Sequence, residues 1–293
     1  MAGAGRMARV RRPAALRRMV AGWRRRGHPI TFVPTMGAIH AGHLSLVARA
    51  RRPWRGRPHP RVVASIFVNP LQFGPREDYR RYPRPAARDR ALFAASGVDV
   101  LWEPRVDDLY PPGHRTRVRV EGLGDVLEGA SRPGHFEGVA TVVLKLLDVV
   151  APDELWLGQK DAQQARIVEQ MVQDLDLDVR VRRAPIVRER DGLALSSRNA
   201  YLDPEQRRQA VALSRGLAAA RARLRAGERS VGRVAAAIRR VWRDYPLVRE
   251  DYVAVVDAGT LAPLRRVRGR ALVAVAARVG RARLIDNFEW SAR

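Results

Sequence analysis

Residues 30–50 read ITFVPTMGAIHAGHLSLVARA. Ile30 to Val33 is a short apolar run that reads as a buried strand, and Gly42 to Ala50 reads as a helix. Between them lies PTMGAIHAGH, residues 34–43, with two glycines and with His40 and His43 three positions apart. A strand that turns through glycines directly into a helix is the opening unit of an α/β sheet. Ligands of such sheets gather at the carboxyl ends of the strands, so this turn bears on function as much as on fold.

The alternation continues outward. Arg61 to Val68, RVVASIFV, is an uninterrupted apolar strand of the kind buried on both faces. Residues 69–84 form a long loop with Asn69-Pro70 and Gly74-Pro75. A helix over 86–96 leads to a strand at Val98 to Trp102. Gly138 to Val150 has helical apolar spacing, Leu155 to Leu157 is a strand, and Asp161 to Leu175 is a helix. This predicts a Rossmann-like, doubly wound parallel sheet with right-handed crossovers. From about Pro185 the texture changes. Two helices, 204–225 and 230–244, precede strands at Asp251 to Val256, Ala271 to Ala277 and Arg283 to Asp286. The expected division is an α/β domain over 1–185 and a smaller C-terminal α+β domain over 186–293.

With 293 residues, 46% of them hydrophobic, the chain can build two packed cores. It has no uncharged apolar stretch of membrane-spanning length. Its Arg-rich first 28 residues lack the apolar segment of a signal peptide. The absence of cysteine removes disulfides, thiolate metal sites and cysteine nucleophiles, and fits a cytoplasmic location. The formal charge of +25 raises nucleic acid as a partner. The cations are spread in twos and threes without interleaved aromatics, so we expect solvated surface and no specific nucleic-acid face. Only Lys145 and Lys160 of the 55 basic residues are lysines. Lys160 follows a strand, in Gly158-Gln159-Lys160-Asp161, where a compact ammonium is not interchangeable with a guanidinium fork.

Three readings of the histidine turn compete. A zinc site needs at least a third protein ligand, and the other histidines (His28, His59, His114, His135) are scattered. The imidazoles could simply satisfy backbone groups at a turn. In a nucleotide site, Gly37 and Gly42 would admit a ligand close to the backbone, and the start of the helix would favour phosphate. An imidazole there can donate to a phosphate oxygen as charge develops on it. Neither a dinucleotide nor a Walker fingerprint occurs. Leu195-Ser196-Ser197-Arg198-Asn199 offers hydroxyls and a guanidinium to an oxyanion-rich ligand. Asn69, Gln72, Gln163 and Gln164 are neutral amides suited to a small polar substrate.

Taken together, the blocks FVPTMGAIHAGHLSLV (32–47), VASIFVNPLQFGPREDYRRYPR (63–84), RPGHFEGVATVVLKLL (132–147), LWLGQKDAQQ (155–164), IVRERDGLALSSRNAYL (186–202) and RLIDN (283–287) resemble the pantothenate synthetase (pantoate–β-alanine ligase) family. That family belongs to the HIGH-motif nucleotidyltransferases. The blocks stand in the family's order and span most of the chain. The resemblance implies ATP-dependent condensation of (R)-pantoate with β-alanine through a pantoyl adenylate, releasing pyrophosphate and AMP. It implies that Met36, Gly37, Ala38, Ile39, His40, Ala41, Gly42 and His43 line the ATP site, with His43 as proton donor and His40 also toward the phosphates. Gly158, Gln159, Lys160 and Asp161 would contact the nucleotide, with Lys160 neutralising phosphate charge. Val187 would lie near the adenine, and Leu195, Ser196, Ser197 and Arg198 would form a second phosphate segment. Gln72 and Gln164 would hold pantoate, and Gln72 would also border β-alanine. Mg2+ would accompany ATP, with Asp89 a candidate anchor. The resemblance further suggests a homodimer through the larger domain and a lid role for the smaller one. Three positions depart from the family: Ala41 and Gln159 stand where Glu is usual, and Ala162 replaces an aromatic residue.

Overall fold

The computed structural model describes residues 7–75 and 79–291. The chain forms two compact units, one of Met1–Gly158 with Gln164–Pro185 and one of Gln159–Gln163 with Ile186–Arg293. The turn after Gly158 thus belongs to the second unit, whereas a plain cut at 185 places it in the first. Its backbone is tied by side chains of the C-terminal strands, a link across some 130 positions that no local pattern announces.

In the first unit the elements run β1 (Ala8–Val10), α1 (Pro13–Arg25), β2 (Ile30–Thr35), α2 (Ala41–Ala50), β3 (Arg61–Ile66), a 3-10 turn (Pro70–Gln72), α3 (Ala86–Ser96), β4 (Val100–Trp102), α4 (Val106–Leu109), α5 (Glu128–Ser131), α6 (His135–Val150), β5 (Glu154–Gly158), α7 (Ala162–Asp174) and β6 (Arg180–Ala184). The strands form one sheet in the order β1-β4-β3-β2-β5-β6, and every pairing is parallel. Chain order runs outward from β2 through β3 and β4, with β1 added at that edge, and from β5 to β6 on the other side. The topological switch point therefore lies between β2 and β5, the two strands that lead into PTMGAIHAGH and GQKD. Thr31, Phe32 and Val33 of β2 and Val62 to Ser65 of β3 are buried, as strands covered on both faces must be. Val33, Ile39, Val47, Val62, Ala64, Phe93 and Leu101 pack into one core cluster, which anchors α2 and α3.

Helices α1, α4 and α5 and strands β1 and β6 escaped the sequence reading. Helix α1 starts at Pro13 and buries Leu16, Val20 and Trp23, an apolar stripe sunk in arginines. Strand β1 is only three residues long. Edge strand β6, RVRRA, reads as polar, but its arginines pair with acids: Arg182 Nε with Glu154 at 2.9 Å and Arg183 with Glu169.

The second unit contains α8 (Pro204–Gln209), α9 (Ala212–Arg225), α10 (Val231–Trp242) and an antiparallel sheet β7 (Val248–Asp257), β8 (Arg270–Val279), β9 (Ala282–Ser291) in that order. The expected helix over 204–225 breaks at 210–211, giving α8 and α9. Helices α9 and α10 meet at Gly216, where a Cβ would stand 2.8 Å from both Ile238 and Trp242. Val255, Val273, Val275 and Leu284 lie in the same core as Leu217 and Ile238. Among the described residues no helix is long and apolar enough to cross a membrane.

Candidate active site

The turn after β2 is built around positive φ angles. Gly37 has φ +88° and Ala38 φ +50°. The second costs about 1–2 kcal/mol for a residue bearing a Cβ. Asp89, on the first turn of α3, offsets that cost. Its Oδ2 accepts the backbone N–H of Ala38 and its Oδ1 that of Ile39, both at 2.8 Å. Asp89 is 1% exposed, so these are charge-assisted bonds in a dry setting. Gly37 is required there: a Cβ would stand 3.1 Å from Asp89 Oδ2 and 3.2 Å from Ile66.

His40 then caps α2. Its Nδ1 accepts the backbone N–H of Gly42 at 3.1 Å, and its own backbone N–H donates to Nδ1 of His43 at 3.3 Å. A neutral imidazole whose Nδ1 accepts must carry its proton on Nε2. Both rings therefore hold Nε2–H as the donor end. The rings lie 4.1 Å apart with a tilt of 34°. Gly42 permits this packing, since a Cβ would come within 2.7 Å of the His40 ring. Ala41 is exposed at the first position of the helix. The turn thus joins a helix N-terminus to two oriented N–H donors, the combination a phosphate group needs. The structural and nucleotide readings of the histidines turn out to be compatible: one ring nitrogen serves the backbone and fixes the direction of the other.

Gln72 closes the same region. Its Nε2 lies 2.9 Å from Met36 Sδ, and its Oε1 accepts from Asn69 Nδ2 at 3.1 Å. Asn69 Nδ2 also donates to the Gly138 carbonyl at 3.0 Å, and Asn69 Oδ1 accepts from the Tyr110 hydroxyl at 2.9 Å. His135 Nδ1 donates to the Gln72 carbonyl at 2.7 Å. Gly138 lets α6 approach this segment, for a Cβ would meet the Leu71 carbonyl oxygen at 2.3 Å. Gln72 is thereby held at its Oε1 and its main-chain carbonyl, while its Nε2 meets a weak thioether acceptor, a poorer partner than an oxygen would be. Burial raises the Tyr110 phenol pKa, against a smaller lowering effect of Arg117, so its hydroxyl stays a donor. Gln164 sits half-buried on the first turn of α7. Tyr110 and His135 were not among the expected site residues. A lone tyrosine after a short helix and a lone histidine at the start of another carry no sequence signal of this kind.

In the second unit, Gln159, Lys160 and Asp161 form a 3-10 turn directly after Gly158. Asn287 Nδ2 donates to the carbonyls of Gln159 and Lys160 at 3.0 and 2.8 Å. Gln159 Nε2 donates to Asn287 Oδ1 at 3.2 Å and to Glu289 Oε1 at 3.3 Å. Lys160 Nζ lies 3.5 Å from Asp161 Oδ1. The Leu195 N–H donates to the Val187 carbonyl at 3.0 Å, closing a hairpin that ends in Ser196, Ser197 and Arg198. Ser196 Oγ accepts from the Arg198 N–H at 3.3 Å. Lys160, Ser196, Asn199 and Asp286 line one small recess. There Asn199 Oδ1 is a buried acceptor without a protein partner.

Asp89 fits poorly as a magnesium anchor. Its two oxygens serve backbone N–H groups, and among the described residues no group of three or more His, Asp or Glu could hold a metal ion.

Comparison with known proteins adds the rest. The pantoate–beta-alanine ligase family pattern matches residues 8–289. Pantothenate synthetase of Moorella thermoacetica is 52% identical over 274 residues, covering 94% of this chain and 95% of the relative. That of Acidobacterium capsulatum is 54% identical over 258 residues, 88% of this chain and 85% of the relative. The crystal structure of pantothenate synthetase from Thermus thermophilus superposes with a TM-score of 0.90 at 49% identity, covering 96% of this chain and 99% of that one. The Francisella tularensis pantoate–beta-alanine ligase complexed with β-γ ATP and β-alanine gives 0.76 at 31% identity, over 96% and 97% of the two chains.

Proposed function

The chain belongs to the pantoate–β-alanine ligase family, and from that premise we propose how its own residues carry out the ATP-dependent condensation of pantoate with β-alanine. The route is a pantoyl adenylate. A pantoate carboxylate oxygen bonds to the α-phosphorus of ATP, and the bond to pyrophosphate breaks. The amine of β-alanine then forms the amide bond at the acyl carbon, AMP departs with the bridging oxygen, and the amine gives up a proton. An unactivated carboxylate is a poor acylating agent, and adenylation supplies the leaving group.

The observation that carries this reading is the reciprocal cap in which both histidine Nδ1 atoms accept backbone N–H groups. It leaves His40 and His43 as Nε2–H donors to phosphate oxygens, strengthening as charge builds at phosphorus. The backbone of 36–43 and the α2 N-terminus favour the same anion. Lys160 neutralises phosphate charge, with Gly158, Gln159 and Asp161 alongside the nucleotide. Leu195, Ser196, Ser197 and Arg198 give a second set of phosphate contacts, and Val187 lies toward the adenine. Gln72 and Gln164 hold pantoate, and Gln72 borders β-alanine. The excess of arginine draws anionic substrates inward.

An Mg2+ brought by ATP would offset phosphate charge, and Asp89, with both oxygens on backbone N–H groups, would not be the residue that holds it. We assign the reaction to the cytoplasm, where ATP is supplied, and assembly to a homodimer through the larger domain, which sedimentation tests. Function is tested by incubating the protein with ATP, pantoate and β-alanine. AMP must form in step with pantothenate and must stop without pantoate. Formation of ADP, or AMP production indifferent to pantoate, overturns the reading.

A further inference from the structure

Consecutive residues of β9 hold both cation-bearing segments of the second unit. Asn287, 4% exposed, spends both amide N–H groups on the carbonyls of Gln159 and Lys160. A three-residue 3-10 turn has little hydrogen bonding of its own, so these bonds set its conformation. Asp286, 2% exposed, receives the guanidinium of Arg188 bidentately at 2.6 and 2.8 Å. Arg188 also donates to the Gly192 carbonyl at 3.0 Å, bracing the hairpin whose far end carries Ser196 to Arg198. The Asn287 N–H donates to Asp286 Oδ1 at 2.8 Å, which links the two anchors. Every donor of the Asn287 amide and both Asp286 oxygens are thus committed to these segments.

We propose that Asn287, together with Asp286, is a positioning residue of the nucleotide reaction. Asn287 fixes the backbone that aims Lys160, and Asp286 fixes the hairpin that presents Ser196 to Arg198. Neither residue touches substrate in this role. Both act by removing the reorganisation that a flexible turn and a flexible hairpin would otherwise need on binding phosphate. Such an anchor needs buried polar residues in the middle of an apolar strand, which is what the sequence RLIDN supplies.

The proposal rests on Lys160 facing the nucleotide, and one experiment separates the two claims. The chain has only two lysines, Lys145 and Lys160, so amine labelling read by peptide mass spectrometry follows Lys160 with Lys145 as internal standard. In the wild type, ATP with Mg2+ should protect Lys160 from the label and leave Lys145 unchanged. Absence of that protection overturns the assigned role of Lys160 itself. Asn287→Asp keeps size and the acceptor to Gln159, but turns an oxygen toward two carbonyls. In this variant the ATP concentration that protects Lys160 should rise at least tenfold, and kcat/KM for ATP should fall about a hundredfold, as misplacement near the chemistry does. The KM for β-alanine should stay within about twofold, since uniform damage to binding is not expected. If Asn287→Asp does not fold, Asn287→Ala removes both N–H donors without turning an oxygen toward the carbonyls and should shift ATP protection in the same direction. Wild-type protection and kinetics in folded Asn287→Asp, or in Asn287→Ala where that substitutes, would overturn the proposal.

Discussion

Asp89 Oδ1 accepts the backbone N–H of Ile39 at 2.8 Å, across fifty positions of sequence. With the companion bond to Ala38, it makes the histidine turn a consequence of α3 as much as of its own glycines. Asp89→Asn replaces one of the two acceptors with a donor that faces an N–H. The unpaired group should cost roughly 1–3 kcal/mol in urea unfolding. It should also raise the KM for ATP, because the turn relaxes away from its positive φ angles. Wild-type stability and KM in this variant would show that the turn holds without Asp89.

The two nitrogens of His43 can be separated by substitution. His43→Asn places an acceptor near Nδ1 and removes the Nε2–H. The helix cap should survive with thermal stability close to wild type, while adenylate formation falls by about 10²–10³, as for loss of one aimed donor. A variant with near-normal turnover would remove His43 from the chemistry.

Gln159 stands where the family usually has Glu, and its amide donates to Glu289 at 3.3 Å. Gln159→Glu brings two carboxylates together on the turn that carries Lys160, and should weaken ATP binding severalfold. Adding Glu289→Gln removes the repulsion and should restore most of the loss. A double-mutant cycle with no coupling between the two positions would contradict this account.

Tyr110 donates to Asn69, which in turn fixes the Gln72 amide. Burial raises its pKa in the folded state. The neutral phenol is then the form the fold prefers. Its stabilising contribution is fully present below the unfolded value of about 10 and declines as pH rises through the higher folded value. In an ultraviolet titration of phenolate formation, Tyr110→Phe should delete a late-ionising component and leave the earlier ones unchanged. The same variant should raise the KM for pantoate a few-fold at neutral pH, by about the worth of one hydrogen bond. Ionisation of Tyr110 near pH 10 would refute the first statement, and an unchanged KM the second.

Much of this was legible in the sequence. The continuous apolar runs at Ile30 and Arg61 marked the parallel core, and the glycines of PTMGAIHAGH marked a turn open to close approach, in which Gly37 alone of the two takes a positive φ. What stayed hidden were long-range polar bonds. Asp89 reads equally well as a metal ligand or a backbone anchor until Ala38 and Ile39 are seen beside it. Strand β6 was masked because arginines paired to Glu154 and Glu169 give an apolar-poor sequence. The placement of Gln159 to Gln163 with the C-terminal unit depends on Asn287 and Glu289, which no window around residue 160 contains.

The central claim is that pantoate is activated on its own carboxylate, at the phosphate held by the histidine turn. The most direct measurement uses pantoate labelled with ¹⁸O in both carboxylate oxygens, with ATP and β-alanine in ordinary water. The adenylate route predicts that AMP leaves carrying one labelled oxygen, with the other kept in the amide of pantothenate. Unlabelled AMP, or label found in orthophosphate, would contradict it.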